Sequence, residues 1–261
     1  MGKYRNSNHQ NRKQDQGGYK SSRSRRRDPQ DVGKLPGLAL TEDHFRGIKS
    51  VQQTPLAPRT PNQKAYYESI MRNDLTFGVG PEGTGKTFVG LATGCELFKS
   101  GAVDRIICSR AAVGAEEEPG FYPGDENEKI SPWLMACREV LDMRLGKSAV
   151  DSLIQNDRVK FVPFAIMRGL NWRDAFVLLD EAQNTTPTQM RLFLTRHVTG
   201  SRIVVDGGLA QKDTPDFIED GLKDAIGRLG GLPGVGLVEF TTDDIVRSKF
   251  VKMVVEAYDR D

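Results

Sequence analysis

Eight consecutive residues, Gly80-Pro81-Glu82-Gly83-Thr84-Gly85-Lys86-Thr87, satisfy the spacing G-x-x-x-x-G-K-[ST]. Glycines let such a loop wrap backbone N–H groups around phosphate oxygens with no Cβ in the way. A helix starting at Lys86 turns its N-terminus toward the same anion. In this setting Lys86 reaches the β- and γ-phosphates of a nucleoside triphosphate and Thr87 holds Mg²⁺. Gly80, Pro81, Glu82, Gly83, Thr84 and Gly85 complete the cradle, and ATP is the expected ligand. Far downstream, the apolar run Ala175-Phe176-Val177-Leu178-Leu179 delivers Asp180-Glu181. At the C-terminal end of a buried strand, Asp180 suits the Mg²⁺ shell, directly or through water. Glu181 is then placed to polarise the attacking water as a general base. An acidic pair at a strand end is by itself compatible with simple solvation. Together with the phosphate loop it points to hydrolysis, because small-molecule kinases usually lack such a glutamate.

These residues need a scaffold that brings loop and carboxylates to one edge. Short apolar runs predict strands over 76–79, 105–109, 159–164, 175–179, 202–205 and 235–240. Longer amphipathic stretches predict helices over 62–72, 86–100, 131–145, 187–197, 216–229 and 244–257. The start of one helix is well marked: Thr186 can cap it, Pro187 suits the first turn, and Gln189 completes a capping box. Strands separated by helices mean a mainly parallel sheet covered on both faces, an α/β nucleotide-binding architecture.

Composition divides the 261 residues unevenly. Residues 1–28 carry nine lysines and arginines against Asp15 and Asp28, whereas the rest of the chain has an acidic excess, so the net charge of +2 hides a basic end. Residues 1–35 have almost nothing to bury and read as a disordered Arg/Ser-rich tail. Its run Arg23-Ser24-Arg25-Arg26-Arg27 could neutralise phosphates of RNA or DNA, or simply be solvated. Residues 36–57 read as a linker and 58–261 as the folded domain. Cys95, Cys108 and Cys137 are scattered, with no CxxC pair, so a zinc site or disulfide framework is not expected and a reducing compartment is. With no run of eighteen apolar residues and no apolar leader segment, the expectation is a soluble, cytoplasmic protein away from membranes.

Residues 58–258, about three quarters of the chain, resemble the PhoH-like ATPases, a single-domain branch related to superfamily 1 helicases. The matching stretches are Pro58-Arg59-Thr60-Pro61-Asn62-Gln63, the phosphate loop, Gly120-Phe121-Tyr122-Pro123-Gly124-Asp125, Met167-Arg168-Gly169 and Asp180-Glu181-Ala182-Gln183-Asn184-Thr185-Thr186-Pro187. Gln189-Met190 and Phe193-Leu194-Thr195-Arg196 extend the last of these. The small size and Arg-rich tail look like a bacteriophage version. The resemblance implies a RecA-like P-loop fold in which Gln63 reads the adenine edge. It places Gln183 near the γ-phosphate or between the site and a nucleic-acid strand. It also makes Arg247, in Asp244-Ile245-Val246-Arg247, the first candidate for a charge-stabilising arginine, with Arg196 and Arg168 as alternatives.

The chain departs from the family pattern after its fifth strand. Where the family usually reads Thr-Gly-Asp-x-x-Gln, the chain has Asp206-Gly207-Gly208-Leu209-Ala210-Gln211. Gln211 remains to orient the attacking water, but the usual aspartate is Gly208 and an acid stands two places earlier. The Arg-Pro pair after the second strand is Arg110-Ala111. A single domain leaves the nucleotide without a second wall, so the resemblance implies a homo-oligomeric ring, a hexamer, in which a neighbour supplies an arginine. RNA or another single-stranded nucleic acid is the expected partner, with Phe121 and Tyr122 available to stack on bases or to pack on their own domain. The alternatives are an ATP-driven switch gripping a protein such as a nuclease, a phosphotransferase, and a scaffold that holds ATP without turnover.

Overall fold

Every residue of β1 (Leu75–Val79) and of β4 (Ala175–Asp180) is buried, as strands are when both faces of their sheet are covered. They belong to a six-stranded sheet of order β3-β2-β4-β5-β1-β6, completed by β2 (Arg105–Arg110), β3 (Val159–Phe161), β5 (Arg202–Gly207) and β6 (Val235–Glu239). All the pairings are parallel. The computed structural model describes residues 56–111, 135–162, 164, 171–208, 219–246 and 253, all within the compact unit Leu38–Asp261. Most of the linker and the Arg-rich tail lie outside the described residues, as do Phe121, Tyr122, Arg168, Gln211 and Arg247.

Side chains alternate between the two faces with the period of two that a strand imposes. Phe176, Leu178, Ile106, Cys108 and Val204 point into one core, which is closed by α1 (Pro61–Arg72), α2 (Lys86–Lys99), α3 (Met135–Leu145) and α4 (Lys147–Gln155). Val177, Leu179, Ile107, Ile203 and Val205 point into the other, closed by α5 (Pro187–Leu194) and α6 (Gly221–Leu229). Helix α2 presses so closely on β4 that a Cβ at Gly94 would lie 2.5 Å from the Phe176 ring. Cys95, Cys108 and Cys137 are free thiols buried in the first core, and burial pushes Cys95 up to about 12. Among the described residues no helix is long and apolar enough to cross a membrane.

All six expected strands exist, with the third ending at Phe161 rather than at 164. The Thr186 cap is as expected: its side chain accepts from the Gln189 backbone N–H and the Gln189 side chain accepts from the Thr186 backbone N–H. That helix stops at Leu194, and the helix expected from 216 has its described start at Gly221, where Asp220 caps two backbone N–H groups. Helix α4 has no counterpart among the expected helices. Gly146, at φ 89, breaks the chain after α3, and the two turns that follow bury only Val150 and Leu153. The helix expected over 244–257 needs correction at its start. Thr242–Asp244 is a single 3-10 turn in which the Asp244 carboxylate accepts from the Thr241 backbone N–H. Ile245, which follows, is extended at φ −65 and ψ 110, so the backbone leaves the helical region there.

Candidate active site

The parallel sheet brings the C-terminal ends of β1, β2, β4 and β5 to one edge, and the chemistry-bearing residues follow directly from them. After β1 the chain enters the phosphate loop through Gly80 (φ 144), Gly83 (φ 79) and Gly85 (φ 84), all in the region that favours glycine. A Cβ at Gly80 would also run into the Phe240 carbonyl at the end of β6. Lys86, the first residue of α2, folds its ammonium back onto the loop, with Nζ 2.8 Å from the carbonyls of both Gly80 and Pro81. Burial lowers the lysine's proton affinity, while Asp206, Asp180, Glu181 and Glu82 pull it the other way. The cation is therefore positioned over the mouth of the loop and held by groups a phosphate can replace.

Strand β5 lies between β1 and β4, yet their loops converge. Thr87 Oγ1 donates to Asp180 Oδ1 at 3.3 Å. Asp180 is 8% exposed, and burial, reinforced by Glu181, raises its proton affinity against the pull of Arg110 and two hydrogen bonds. Glu181 sits at φ 54, a left-handed conformation rare for a non-glycine residue and found where surrounding contacts hold it. Its Oε1 accepts from Arg110 Nη2 at 2.7 Å and its Oε2 from Gln183 Nε2 at 2.7 Å. Gln183 is buried, and its Oε1 accepts from the backbone N–H of Gly208 at 3.0 Å. One amide thus ties the acidic pair to the end of β5.

Helix α1 supports the loop from behind. Thr60 caps it, Pro61 occupies its first turn, and Gln63 is held inside. Gln63 Nε2 donates to the Thr84 carbonyl at 2.9 Å, while Oε1 accepts from the Arg59 backbone N–H at 2.8 Å. One turn later, the fully buried Tyr66 donates its hydroxyl to Asp206 Oδ1. Gly78 makes room for both, since a Cβ there would stand 2.6 Å from Asp206 Oδ1 and 2.7 Å from the Tyr66 ring. Asp206 Oδ2 is buried with no hydrogen-bond partner. Burial, then the neighbouring Asp180, pushes the Asp206 carboxyl up to about 8, although Tyr66 and Lys86 pull it down.

The family model described as PhoH-like protein matches residues 55–259 of the chain. The chain belongs to the PhoH-like family. Its parallel sheet and phosphate loop give it the P-loop NTPase fold. Relatives include a PhoH-like protein of Bacillus subtilis, 39% identical over 81% of this chain and 66% of that protein. Another is the protein PhoH of Escherichia coli, 36% identical over 92% of this chain and 68% of that protein. The chain therefore spans about two thirds of the length of the curated relatives it matches. Among solved structures, the large terminase of a thermophilic bacteriophage is a partial likeness, with 13% identity and a TM-score of 0.45 over 78% of this chain and 50% of that chain.

In this PhoH-like chain the structure brings together Gln63, the residues 80–87, Asp180, Glu181 and Gln183. Gln211 and Arg247 fall outside the described residues, as does the alternative arginine Arg168. Arg196 is described; it follows α5, and its backbone carbonyl accepts from the Trp172 N–H. Sequence reasoning missed Tyr66 altogether. In the sequence Arg110 stands out only as the neighbour of a missing proline, and Asp206 only as a displaced acid. Tyr66 lies one helical turn after Gln63, the spacing that puts two residues on one face, and that was the available signal.

Proposed function

We propose that this PhoH-like protein binds ATP with Mg²⁺ and hydrolyses it, with turnover coupled to RNA or another single-stranded nucleic acid. The observation that carries this reading is the 3.3 Å hydrogen bond from Thr87 to Asp180, with Glu181 next in the chain. A hydroxyl and a buried carboxylate facing each other beside a phosphate loop are oxygen donors of the kind Mg²⁺ takes. Thr87 and Asp180 would hold the ion, whose contribution when bound is to neutralise charge on the phosphates. The backbone N–H groups of 80–87 take the triphosphate, and Lys86 exchanges the carbonyls of Gly80 and Pro81 for the β- and γ-phosphates. Gln63, already against Thr84, is the residue proposed to read adenine. Glu181 accepts the proton of the attacking water, Gln183 keeps that carboxylate aimed, and Gln211 orients the water. Arg247, from the same chain or from a neighbour in a hexameric ring, stabilises the developing charge.

A second reading has its own observation. Gly208 has no side chain, its N–H is taken by Gln183, and Asp206 is turned inward onto Tyr66. The end of β5 therefore presents no described carboxylate to a γ-phosphate, which suits a scaffold that holds ATP without turnover.

Phosphate release from ATP and Mg²⁺, with and without single-stranded RNA or DNA, separates these readings. Glu181→Gln should lower turnover by about two orders of magnitude or more while retaining ATP binding. Turnover in the variant equal to that of the native protein rules out the base assignment. Bound ATP with no turnover in the native protein favours the scaffold. Turnover indifferent to nucleic acid favours a switch that grips a protein partner such as a nuclease.

A further inference from the structure

We propose that Arg110 is a positioning residue that restrains Glu181, and that the phosphodiester backbone of a single-stranded nucleic acid relieves the restraint by taking the guanidinium for itself. This rests on the reading of Glu181 as the general base.

Strands β2 and β4 are in register, with Arg110 opposite Asp180, so the arginine leaves the sheet beside the acidic pair. A carboxylate that is to receive a proton from water must turn a free lone pair toward it. Here Oε1 accepts a charge-assisted bond from Arg110 and Oε2 a bond from Gln183, each 2.7 Å long. The two restraints are not alike. Gln183 is 1% exposed and tied at its other end to Gly208, so it belongs to the framework. The Arg110 side chain is 27% exposed and that of Glu181 25% exposed, so an anion from outside can reach the pair. Partly exposed ion pairs are weak. A phosphate diester offers the guanidinium the same two-pronged acceptor geometry as a carboxylate, and a polyanionic strand offers it repeatedly. Each carboxylate oxygen can accept two bonds, so the restraint is one of aim: when Arg110 turns to a phosphate, Glu181 keeps its bond to Gln183 and its Oε1 is free to swing toward water. ATP is then consumed mainly when a strand is present.

The test compares native protein, Arg110→Gln and Arg110→Lys at saturating Mg-ATP, with and without oligouridine. Arg110→Gln should turn over about fivefold faster than native protein in the absence of RNA, the worth of a partly exposed ion pair. RNA should then add nothing further, and the change should fall on kcat with KM for ATP unmoved. Arg110→Lys, which keeps a cation, should restore slow basal turnover and the response to RNA. Anisotropy of labelled oligouridine should show the salt dependence of binding flattened in Arg110→Gln, its log–log slope shallower by about 0.7, one phosphate contact on a single strand. Basal turnover of Arg110→Gln at or below the native rate, with its melting point retained, overturns the restraint. Full stimulation of that variant by RNA overturns the role of the phosphate, as does a native protein indifferent to oligouridine. If Arg110→Gln melts early, Arg110→Met, which keeps the packing of the stem, is read by the same criteria. The double variant Arg110→Gln, Glu181→Gln keeps the two readings apart. Fast turnover there removes Glu181 as the base, whereas a slow Arg110→Gln beside an inactive Glu181→Gln removes only the restraint.

Discussion

Changing Asp206 to asparagine should flatten the dependence of stability on pH, because the fold holds this carboxyl's proton up to about 8. In an unfolded chain the same group releases its proton near 3.9. Between these values the folded protein carries a proton that the unfolded chain does not, so stability falls as pH rises. The contribution is fully present below about 4, is lost progressively as pH climbs, and is gone above about 8. About four pH units at roughly 1.4 kcal/mol each give a difference of about 6 kcal/mol, an order-of-magnitude figure. Solvent screening does not reduce it, since Asp206 is fully buried. The substituted asparagine would carry no titrating proton, and its Oδ1 can still accept from the Tyr66 hydroxyl. Its buried amide adds a pH-independent cost of about 1–3 kcal/mol. The assay is urea denaturation of both proteins at several pH values from 5 to 8.5 at fixed ionic strength, read as the difference between them. That difference should change by about 1 kcal/mol per pH unit, with the variant gaining on the native protein as pH rises. Parallel curves would refute the argument, because they would mean that Asp206 titrates alike in the folded and unfolded states.

Gly78→Ala places a methyl group 2.6 Å from Asp206 Oδ1 and 2.7 Å from the Tyr66 ring, neither of which can move far in a closed core. A loss of about 3 kcal/mol or more is expected, visible as an early thermal melt. Gln63→Ala removes the bond that braces the Thr84 carbonyl and, on the proposed reading, the contact to adenine. ATP should bind about tenfold more weakly and the preference over GTP should narrow in fluorescence titrations. An equal loss for both nucleotides would leave Gln63 as a brace alone.

Much of this protein was legible without a structure because its key motifs are local. The loop 80–87 needs only its own glycines and the first turn of a helix. Asp180 and Glu181 are positioned by the five apolar residues before them. The Thr186 cap is satisfied within three residues. In each case a short covalent separation limits what the backbone can do, so residue type and spacing carry the answer. Tertiary structure decided what those motifs meet. Arg110 reaches Glu181 from 71 residues away, Gln183 reaches Gly208 from 25, and Tyr66 reaches Asp206 from 140. These meetings follow from strand order and from the docking of α1 on one face of the sheet, against β1, β5 and β6. Strand order and helix docking are fixed by many small burial terms summed over two cores, none of which is written at the contacting positions. The sequence by itself therefore singled out the groups proposed to hold a phosphate and a metal, and only the fold decided that the glutamate beside them is clasped by an arginine and that the aspartate behind them is shut away from water.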